Sequence, residues 1–254
     1  MAHTNASSHP IMLQKKQAAY YVIKSQYPDT QLVLVHGIGV SMRYFMAFAH
    51  ELAKTSDVYV LDLPGFGATP RPQSAETIES YAGMVKEFIQ QQKLQRPVLI
   101  GHSMGCQIVI EVLRTDPGCA DASILIGPVV NSKERTGLRQ ALRLLQDTWF
   151  ERPRTNWFVL SDYIRCGVRW YLKVLPSMLA YETEKHIRGV STPLLLLRGE
   201  NDTVAPMQWL KLLQTEASRA ELREIERSGH GVMCNHPVKT AIICQRFSHD
   251  IAKH

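Results

Sequence analysis

Short runs of consecutive apolar residues recur along this 254-residue chain, with glycine, proline, aspartate or asparagine close to their ends. A strand that is apolar at every position, and not only at alternate ones, is covered on both of its faces, as in a parallel sheet. The runs therefore predict buried parallel strands. They occupy residues 32–35, 58–61, 98–100, 123–126 and 194–197.

Between these runs, apolar residues recur with the spacing of a helix face. In residues 78–89 they fall at i, i+3, i+4 and i+7, and residues 42–52 and 108–113 follow the same spacing. Strand–helix–strand alternation predicts an α/β fold with right-handed crossovers between parallel strands. Residues 14–24 predict an additional strand of the antiparallel type.

The alternation breaks between residues 131 and 189, where the sequence offers helical patches and no buried strand. This stretch holds 8 of the chain's 20 aromatic residues, and 11 lysines and arginines against 6 aspartates and glutamates. We interpret residues 131–189 as a helical cap inserted into an α/β core of residues 14–130 and 190–254. Residues 1–13 are polar at their start and predict a flexible N-terminal segment.

Composition excludes several classes of function. The net charge is +6, but no run of five basic residues occurs, so we do not expect a nucleic-acid partner. Aliphatic stretches such as residues 194–197 are far shorter than the roughly 20 residues of a membrane span. The polar start is not a secretory signal, and five scattered cysteines without a C-x-x-C pair indicate reduced thiols. We expect a cytoplasmic monomer or homodimer.

The segment Gly101-His-Ser-Met-Gly105 follows the predicted strand at 98–100 and opens a predicted helix. A G-x-S-x-G pattern also occurs by chance, but strand, sharp turn and helix together are the context of an exposed nucleophile. Flanking glycines leave room for a strained turn at Ser103. The helix N-terminus favours negative charge that develops beside the hydroxyl.

A serine nucleophile needs a base, and the base needs an orienting carboxylate. Asp202 follows the predicted strand at 194–197, and His230 follows a short predicted strand at 222–225. Functional groups gather at the carboxyl ends of parallel strands, so both are expected beside Ser103. Taken alone, Asp202 also fits a helix cap or turn, and His230 fits an ordinary loop histidine.

A glycine-rich turn, His36-Gly-Ile-Gly39, follows the predicted strand at 32–35. It could bring the backbone N–H of Ile38 beside the nucleophile. With the N–H of Met104 it would form a two-donor oxyanion hole, in which one donor contributes roughly 100- to 1000-fold in rate. The alternative is a simple tight turn between a strand and a helix.

These motifs, with Asp62-Leu-Pro-Gly-Phe-Gly67 between them, resemble the α/β-hydrolase fold superfamily in their order along the chain. The resemblance implies a mostly parallel eight-stranded sheet flanked by helices, with a helical cap after strand 6. It also implies a Ser103–His230–Asp202 triad and a structural role for residues 62–67. Some members carry the acid after strand 6, but residues 127–131 contain no carboxylate, which favours Asp202.

The resemblance leads us to expect a serine hydrolase that cleaves a small-molecule carboxylic ester without a cofactor. Ser103 argues against dehalogenases and epoxide hydrolases, which resemble this fold but use aspartate as nucleophile. A carbon–carbon bond hydrolase, a cofactor-free peroxidase and a triad-bearing ligand receptor with little turnover remain alternatives. Cys234 and His236 lack further ligands at metal spacing, so we expect no metal.

The inserted segment should set the substrate. Trp149, Trp157 and Trp170 could wall an apolar acyl or aryl pocket, or they could form the core of the cap itself. The basic surplus could attract a carboxylate-bearing substrate, although a solvated helix face is the interpretation we favour. The arginines concerned are Arg135, Arg139, Arg143, Arg152, Arg154, Arg165 and Arg169.

Overall fold

Eight strands form one mostly parallel sheet in the computed structural model, which describes residues 8–252. The strands are β1 (Ser8–Leu13), β2 (Lys16–Ile23), β3 (Thr30–Val35), β4 (Ser56–Asp62), β5 (Val98–His102), β6 (Ser123–Ile126), β7 (Leu194–Gly199) and β8 (Ala220–Ile225). Their order across the sheet is β1-β2-β4-β3-β5-β6-β7-β8. Only the pairs β1–β2 and β2–β4 are antiparallel among the described strands. The predicted fold class is confirmed.

Helices cover both faces of the sheet. They are α1 (Met46–Leu52), α2 (Ile78–Gln91), α3 (Met104–Thr115), α4 (Gly137–Asp147), α5 (Pro153–Cys166), α6 (Val168–Ala180), α7 (Thr183–His186), α8 (Met207–Glu216), α9 (Val232–Asn235) and α10 (Pro237–Ala252). Short 3₁₀ turns lie at Met42–Phe45 and Ile187–Gly189.

Both faces of the sheet are buried in apolar clusters. In β3, Val33 and Val35 pack in a cluster with residues of α2, α3 and α8, whereas Leu32 and Leu34 pack in a second cluster with residues of α1 and α10. Successive side chains of a strand point to opposite faces. This two-sided burial is the physical reason why the strand runs are apolar at every position.

The N-terminal segment differs from the prediction. Residues 8–13, expected to be flexible, form β1, which pairs antiparallel with β2 through partners such as Ile11 and Ala18. A two-residue turn at Gln14 and Lys15, both with positive φ (48° and 62°), joins the strands, as tight hairpin turns require. The remaining residues of that prediction, 1–7, lie outside the described part of the chain.

Helices α4 to α7 lie between β6 and β7, within residues 131–189, which we call the helical insertion. Its buried Asp162 accepts hydrogen bonds from the backbone N–H (3.0 Å) and hydroxyl (2.6 Å) of Ser41, and from Arg43 Nη1 (2.9 Å). Trp170 packs over Gly65 in the loop after β4. The insertion is therefore fastened to loops at the carboxyl ends of β3 and β4. Within residues 8–252, no helix has the length and apolar character needed to cross a membrane.

Candidate active site

Ser103 lies in the sharp turn between β5 and α3. Its backbone has φ 55° and ψ −119°, a conformation that is strained for a residue with a side chain. A methyl group on Gly101 would lie 2.5 Å from the carbonyl oxygen of Gly105, and one on Gly105 would overlap the carbonyl oxygen of Val35. Both flanking positions therefore require glycine. The turn holds the serine at the amino end of α3, where unpaired N–H groups favour negative charge.

Asp202 and His230 are hydrogen-bonded to each other. His230 Nδ1 lies 2.9 Å from Asp202 Oδ2, while Oδ1 of Asp202 accepts the backbone N–H groups of Val204 (2.9 Å) and Ala205 (2.8 Å). Arg198 Nη2 donates to the carbonyl oxygen of Asp202 at 3.1 Å. The acid is thus fixed by its own turn and by the end of β7, and it aims one oxygen at the imidazole.

This buried pair shifts both pKa values towards the charged forms. Burial raises the pKa of Asp202, but the charge and hydrogen bond of His230 outweigh that effect. The Ala205 N–H and Arg198 act in the same direction as His230, and the pKa of Asp202 lies below its usual value. Burial lowers the pKa of His230, yet the carboxylates of Asp202, Asp147 and Glu151 raise it to about 9. The imidazolium form is strongly favoured by its surroundings.

Ser103 and His230 line the same cavity. Nε2 of His230 is buried and has no hydrogen-bond partner among the described residues. No hydrogen bond joins the Ser103 hydroxyl to the imidazole within residues 8–252. The structure therefore pairs Asp202 with His230, brings Ser103 to the same cavity, and leaves the second imidazole nitrogen unengaged.

The loop after β3 lies directly against the serine. A methyl group on Gly37 would be 3.0 Å from Cβ of Ser103, and the neighbouring Ile38 lines the cavity. Among the described residues, no acceptor takes a hydrogen bond from the backbone N–H of Ile38 or of Met104, the first residue of α3. Both N–H groups named from the sequence are thus uncommitted beside the serine turn.

The cavity has a volume of about 630 Å³ and is mostly apolar. Its walls come from the loop after β3, from α4, α5 and α6, and from the loops that carry Val129, Val204 and His230. A cavity of this size suits a ligand of modest size, held mainly by apolar contact. Its apolar lining residues include Val40, Val129, Leu144, Leu145, Val159, Leu160, Val168, Met178 and Val204.

With the sheet and site in place, comparison with known proteins is informative. The alpha/beta hydrolase family model matches residues 32–241. This chain belongs to the alpha/beta hydrolase family. The superfamily expected from its motifs is therefore confirmed.

Two curated relatives match this hydrolase along most of their length. It is 24% identical over 243 residues to the AB hydrolase superfamily protein YisY of Bacillus subtilis, covering 85% of this chain and 91% of that protein. It is 22% identical over 252 residues to Esterase YbfF of Escherichia coli, covering 89% and 96%. A thermophilic esterase from Thermogutta terrifontis superposes with a TM-score of 0.84 at 16% identity, covering 97% and 99% of the two chains. That last similarity shows the fold alone.

The predicted role of three tryptophans in the pocket is corrected, since none of these described residues lines the cavity. Trp149 and Trp157 are 86% and 67% exposed, and Trp170 is 2% exposed in the core against Gly65. The physical reason is placement: Trp149 lies in the exposed turn after α4, and α5 turns the side that carries Trp157 to solvent. Aromatic cavity residues are instead Tyr44, Tyr163 and Tyr171.

The seven arginines considered for an anionic substrate also lie elsewhere, since none of these described side chains lines the cavity. Arg135 and Arg143 form ion pairs with Glu184 and Glu134. The other five are exposed. This agrees with a solvated helix face.

Two carboxylates of the insertion hold the histidine loop, and the sequence analysis missed both. Asp147 accepts the backbone N–H of His230 (2.9 and 3.1 Å), and Glu151 accepts that of Gly231 (2.7 Å) and the Asn235 amide (2.8 Å). Burial raises the pKa of Asp147 to about 8; the His230 charge opposes this rise, and the Asp202 and Glu151 carboxylates add to it. The only sequence feature that distinguishes Asp147 and Glu151 is that they are acidic residues in a predominantly basic segment.

A second histidine, also not assigned a role from the sequence, connects three parts of the site. The Gly37 N–H donates to the Tyr44 hydroxyl (3.2 Å), which contacts Nδ1 of His102 (2.8 Å), and Nε2 of His102 contacts the His230 carbonyl oxygen (3.2 Å). A carbonyl can only accept, so this network assigns the proton to Nε2 of His102. Burial, followed by the charge of His230, holds the pKa of His102 well below its usual value. A neutral His102 therefore links the loop after β3, the serine turn and the histidine loop.

Within residues 8–252, no group of three or more histidine, cysteine, aspartate or glutamate side chains is arranged to hold a metal ion. The expectation that this hydrolase uses neither metal nor cofactor stays a prediction.

Proposed function

We propose that this protein is a serine hydrolase that cleaves small-molecule carboxylic esters with Ser103, His230 and Asp202. The observation that carries the proposal is the hydrogen-bonded Asp202–His230 pair: the histidine lines the same cavity as Ser103, and its Nε2 has no hydrogen-bond partner among the described residues. A histidine fixed by a carboxylate on one nitrogen and open on the other is a general base in the correct tautomer. The strained serine turn supports the same assignment.

In the proposed reaction, Nε2 of His230 takes the Ser103 proton as the oxygen attacks the ester carbonyl. The oxyanion accepts hydrogen bonds from the N–H groups of Ile38 and Met104. His230 then protonates the leaving alcohol, and an acyl-serine remains. Water, deprotonated by His230, attacks the acyl carbon and releases the carboxylic acid with Ser103 restored. Asp202 stabilises the imidazolium in both halves.

The cavity supports an apolar acyl or aryl ester as substrate. Its lining is predominantly aliphatic, with three tyrosines. The Glu151 carboxylate also lines it, and it repels an anionic substrate. Relatives that are named as esterases, such as YbfF, support ester hydrolysis. The five cysteines are all free, which supports the cytoplasmic location that we propose.

The test is steady-state hydrolysis of p-nitrophenyl acetate, butyrate and octanoate by the wild type, Ser103→Ala, and Ser74→Ala as a control. Ser74 is exposed and does not line the cavity. We expect repeated turnover that Ser103→Ala lowers by about 10⁴-fold or more, because triad members act as a unit. Equal hydrolysis by wild type and Ser103→Ala would contradict the proposal. A single burst without turnover would favour the ligand-receptor alternative.

A further inference from the structure

The helical insertion exposes an unusual amount of apolar surface. Outside it, the exposed large apolar residues of the described chain are Met12, Tyr27, Leu212, Val238 and Ile242. Within it there are twice as many, in a stretch of 35 residues. Contiguous exposed apolar surface of this kind marks an interaction site. These residues are Leu138, Leu142, Leu145, Trp149, Phe150, Trp157, Leu160, Ile164, Val168 and Leu172.

Helix α4 is amphipathic with its apolar side outward. Leu138, Leu142 and Leu145 are exposed at helical spacing, which places them on one face. In the same helix Gln140 and Asp147 are buried, and both line the cavity. A surface helix of a globular protein normally has the opposite arrangement. The outward apolar side is therefore not explained by folding of this chain.

The exposed apolar residues of three helices meet around the cavity. Leu145 of α4, Leu160 of α5 and Val168 of α6 all line it. The same three residues are 63%, 54% and 73% exposed. Residues that both line a cavity and face solvent stand at its mouth. The cavity therefore opens in the middle of the apolar surface.

The charges beside this surface are basic. Between residues 138 and 173, the carboxylates of Asp147, Glu151 and Asp162 accept hydrogen bonds from the core, whereas six basic side chains of the same stretch are exposed. Within the described residues, Arg152, Arg154, Arg165 and Arg169 form no ion pair. The exposed basic side chains are Arg139, Arg152, Arg154, Arg165, Arg169 and Lys173. Together with the ten apolar residues, they form what we call the apolar–basic face.

We propose that the apolar–basic face docks on an anionic phospholipid bilayer, with the cavity mouth against the lipid. Amphipathic helices with tryptophan and leucine on one side and arginine beside them lie in the interface of a membrane. The apolar side chains enter the acyl boundary, and the basic ones contact anionic headgroups. This binding does not depend on the chemistry proposed above.

Charge favours a lipid partner over a second copy of the chain. Two copies that met through this face would share a two-fold axis and bring the same patch against itself. Their unpaired arginines would then face arginines, and like charges across an interface oppose association. An anionic bilayer neutralises them.

The test is cosedimentation of the full chain with vesicles of phosphatidylcholine alone or of phosphatidylcholine and phosphatidylglycerol. We expect binding to the anionic vesicles, weaker binding to neutral ones, and a loss of binding as salt is raised. The variant Trp149→Ala/Trp157→Ala should lower the partition coefficient at least about tenfold. Tyr27→Ala, which removes an aromatic side chain that is 78% exposed outside the face, should leave it unchanged.

The arginines are tested in the same way. Arg165→Gln/Arg169→Gln should lower binding to anionic vesicles selectively, and the exposed pair Arg219→Gln/Arg246→Gln is the matched control. The tryptophan variant should keep the wild-type rate of hydrolysis of a soluble ester and the wild-type melting temperature. These two measurements show that its fold is intact. Ile164→Gln provides an independent variant on α5.

Three results would overturn the proposal. They are wild-type protein that binds neither vesicle type, binding that is equal on neutral and anionic vesicles, and binding that survives both the tryptophan variant and Ile164→Gln. A dimer in light scattering that the tryptophan variant dissociates, without vesicle binding, would assign the face to a second copy of the chain.

Discussion

Replacing Asp202 by asparagine perturbs the proposed base without removing the acid's structural contacts. An asparagine Oδ1 can still accept the N–H groups of Val204 and Ala205 that Asp202 accepts at 2.9 and 2.8 Å. Its amide would face Nδ1 of His230 in place of the carboxylate oxygen now at 2.9 Å. That amide donates to Nδ1, so the neutral ring carries its proton on Nε2, where it cannot accept one from Ser103.

The size of the effect follows from the pKa of His230. Its surroundings, mainly Asp202, raise that pKa from 6.5 to about 9, which corresponds to about 3 kcal/mol in favour of the imidazolium. Losing most of that stabilisation in the transition state lowers kcat by about 100-fold, and the wrong tautomer extends the loss towards about 10⁴-fold.

The loss should depend on pH. A general base acts in its neutral form, so wild-type kcat/KM should rise with pH through an apparent pKa of about 9. In Asp202→Asn the acid limb of the kcat/KM profile should move to lower pH, because burial lowers the pKa of His230 and the largest opposing charge is gone. In the wild type about one hundredth of His230 is neutral at pH 7. The loss of kcat/KM in the variant should therefore be smaller at pH 7 than above pH 9, by up to about a hundredfold.

The assay is kcat/KM for p-nitrophenyl butyrate from about pH 5 to pH 10, with the Ser103→Ala rate subtracted as background. Asp57→Asn is the matched control, because Asp57 is buried and hydrogen-bonded to Lys24 and Ser25, away from the cavity. An Asp202→Asn enzyme with the wild-type kcat and an unmoved acid limb would refute the reasoning.

Two further outcomes follow from the insertion. Trp170→Ala should lower the free energy of unfolding in urea by about 3–5 kcal/mol, because Trp170 fills the core over Gly65. Trp157→Ala, at an exposed position, should change this free energy by less than about 0.5 kcal/mol. Equal losses in the two variants would contradict the packing described. Asp147→Asn should move the acid limb of kcat/KM to lower pH, because the Asp147 carboxylate raises the pKa of His230; a limb that stays in place or moves to higher pH would show that this carboxylate does not act on the base.

The sequence was sufficient for the central sheet because burial on both faces leaves a continuous apolar signal, as in β3 and β7. It was insufficient for β1, whose exposed and half-buried positions alternate at the edge of the sheet until the buried Leu13. An edge strand buries little, so its sequence resembles a polar terminus. Backbone pairing with β2, and not apolar content, orders it.

At the site, the sequence was informative where local context fixes a residue's position. Ser103 and Asp202 follow strands that the apolar pattern identifies, and His230 follows the shorter, more polar β8, so their meeting at one edge could be expected. Helical periodicity, in contrast, gives an apolar side but not the direction it faces, which is why Trp157 on α5 was misplaced. The contact of Asp147 with the histidine loop joins residues 83 positions apart, and no local pattern encodes it.

The central claim is that Ser103 is the nucleophile, and covalent labelling tests it most directly. The full chain is treated with a fluorophosphonate, and intact mass and peptide mapping locate the adduct. We expect one adduct per chain on Ser103, none on Ser103→Ala, and much slower labelling of His230→Ala, which lacks the base. A wild-type enzyme labelled on another residue, or Ser103→Ala labelled as fast as the wild type, would contradict the account.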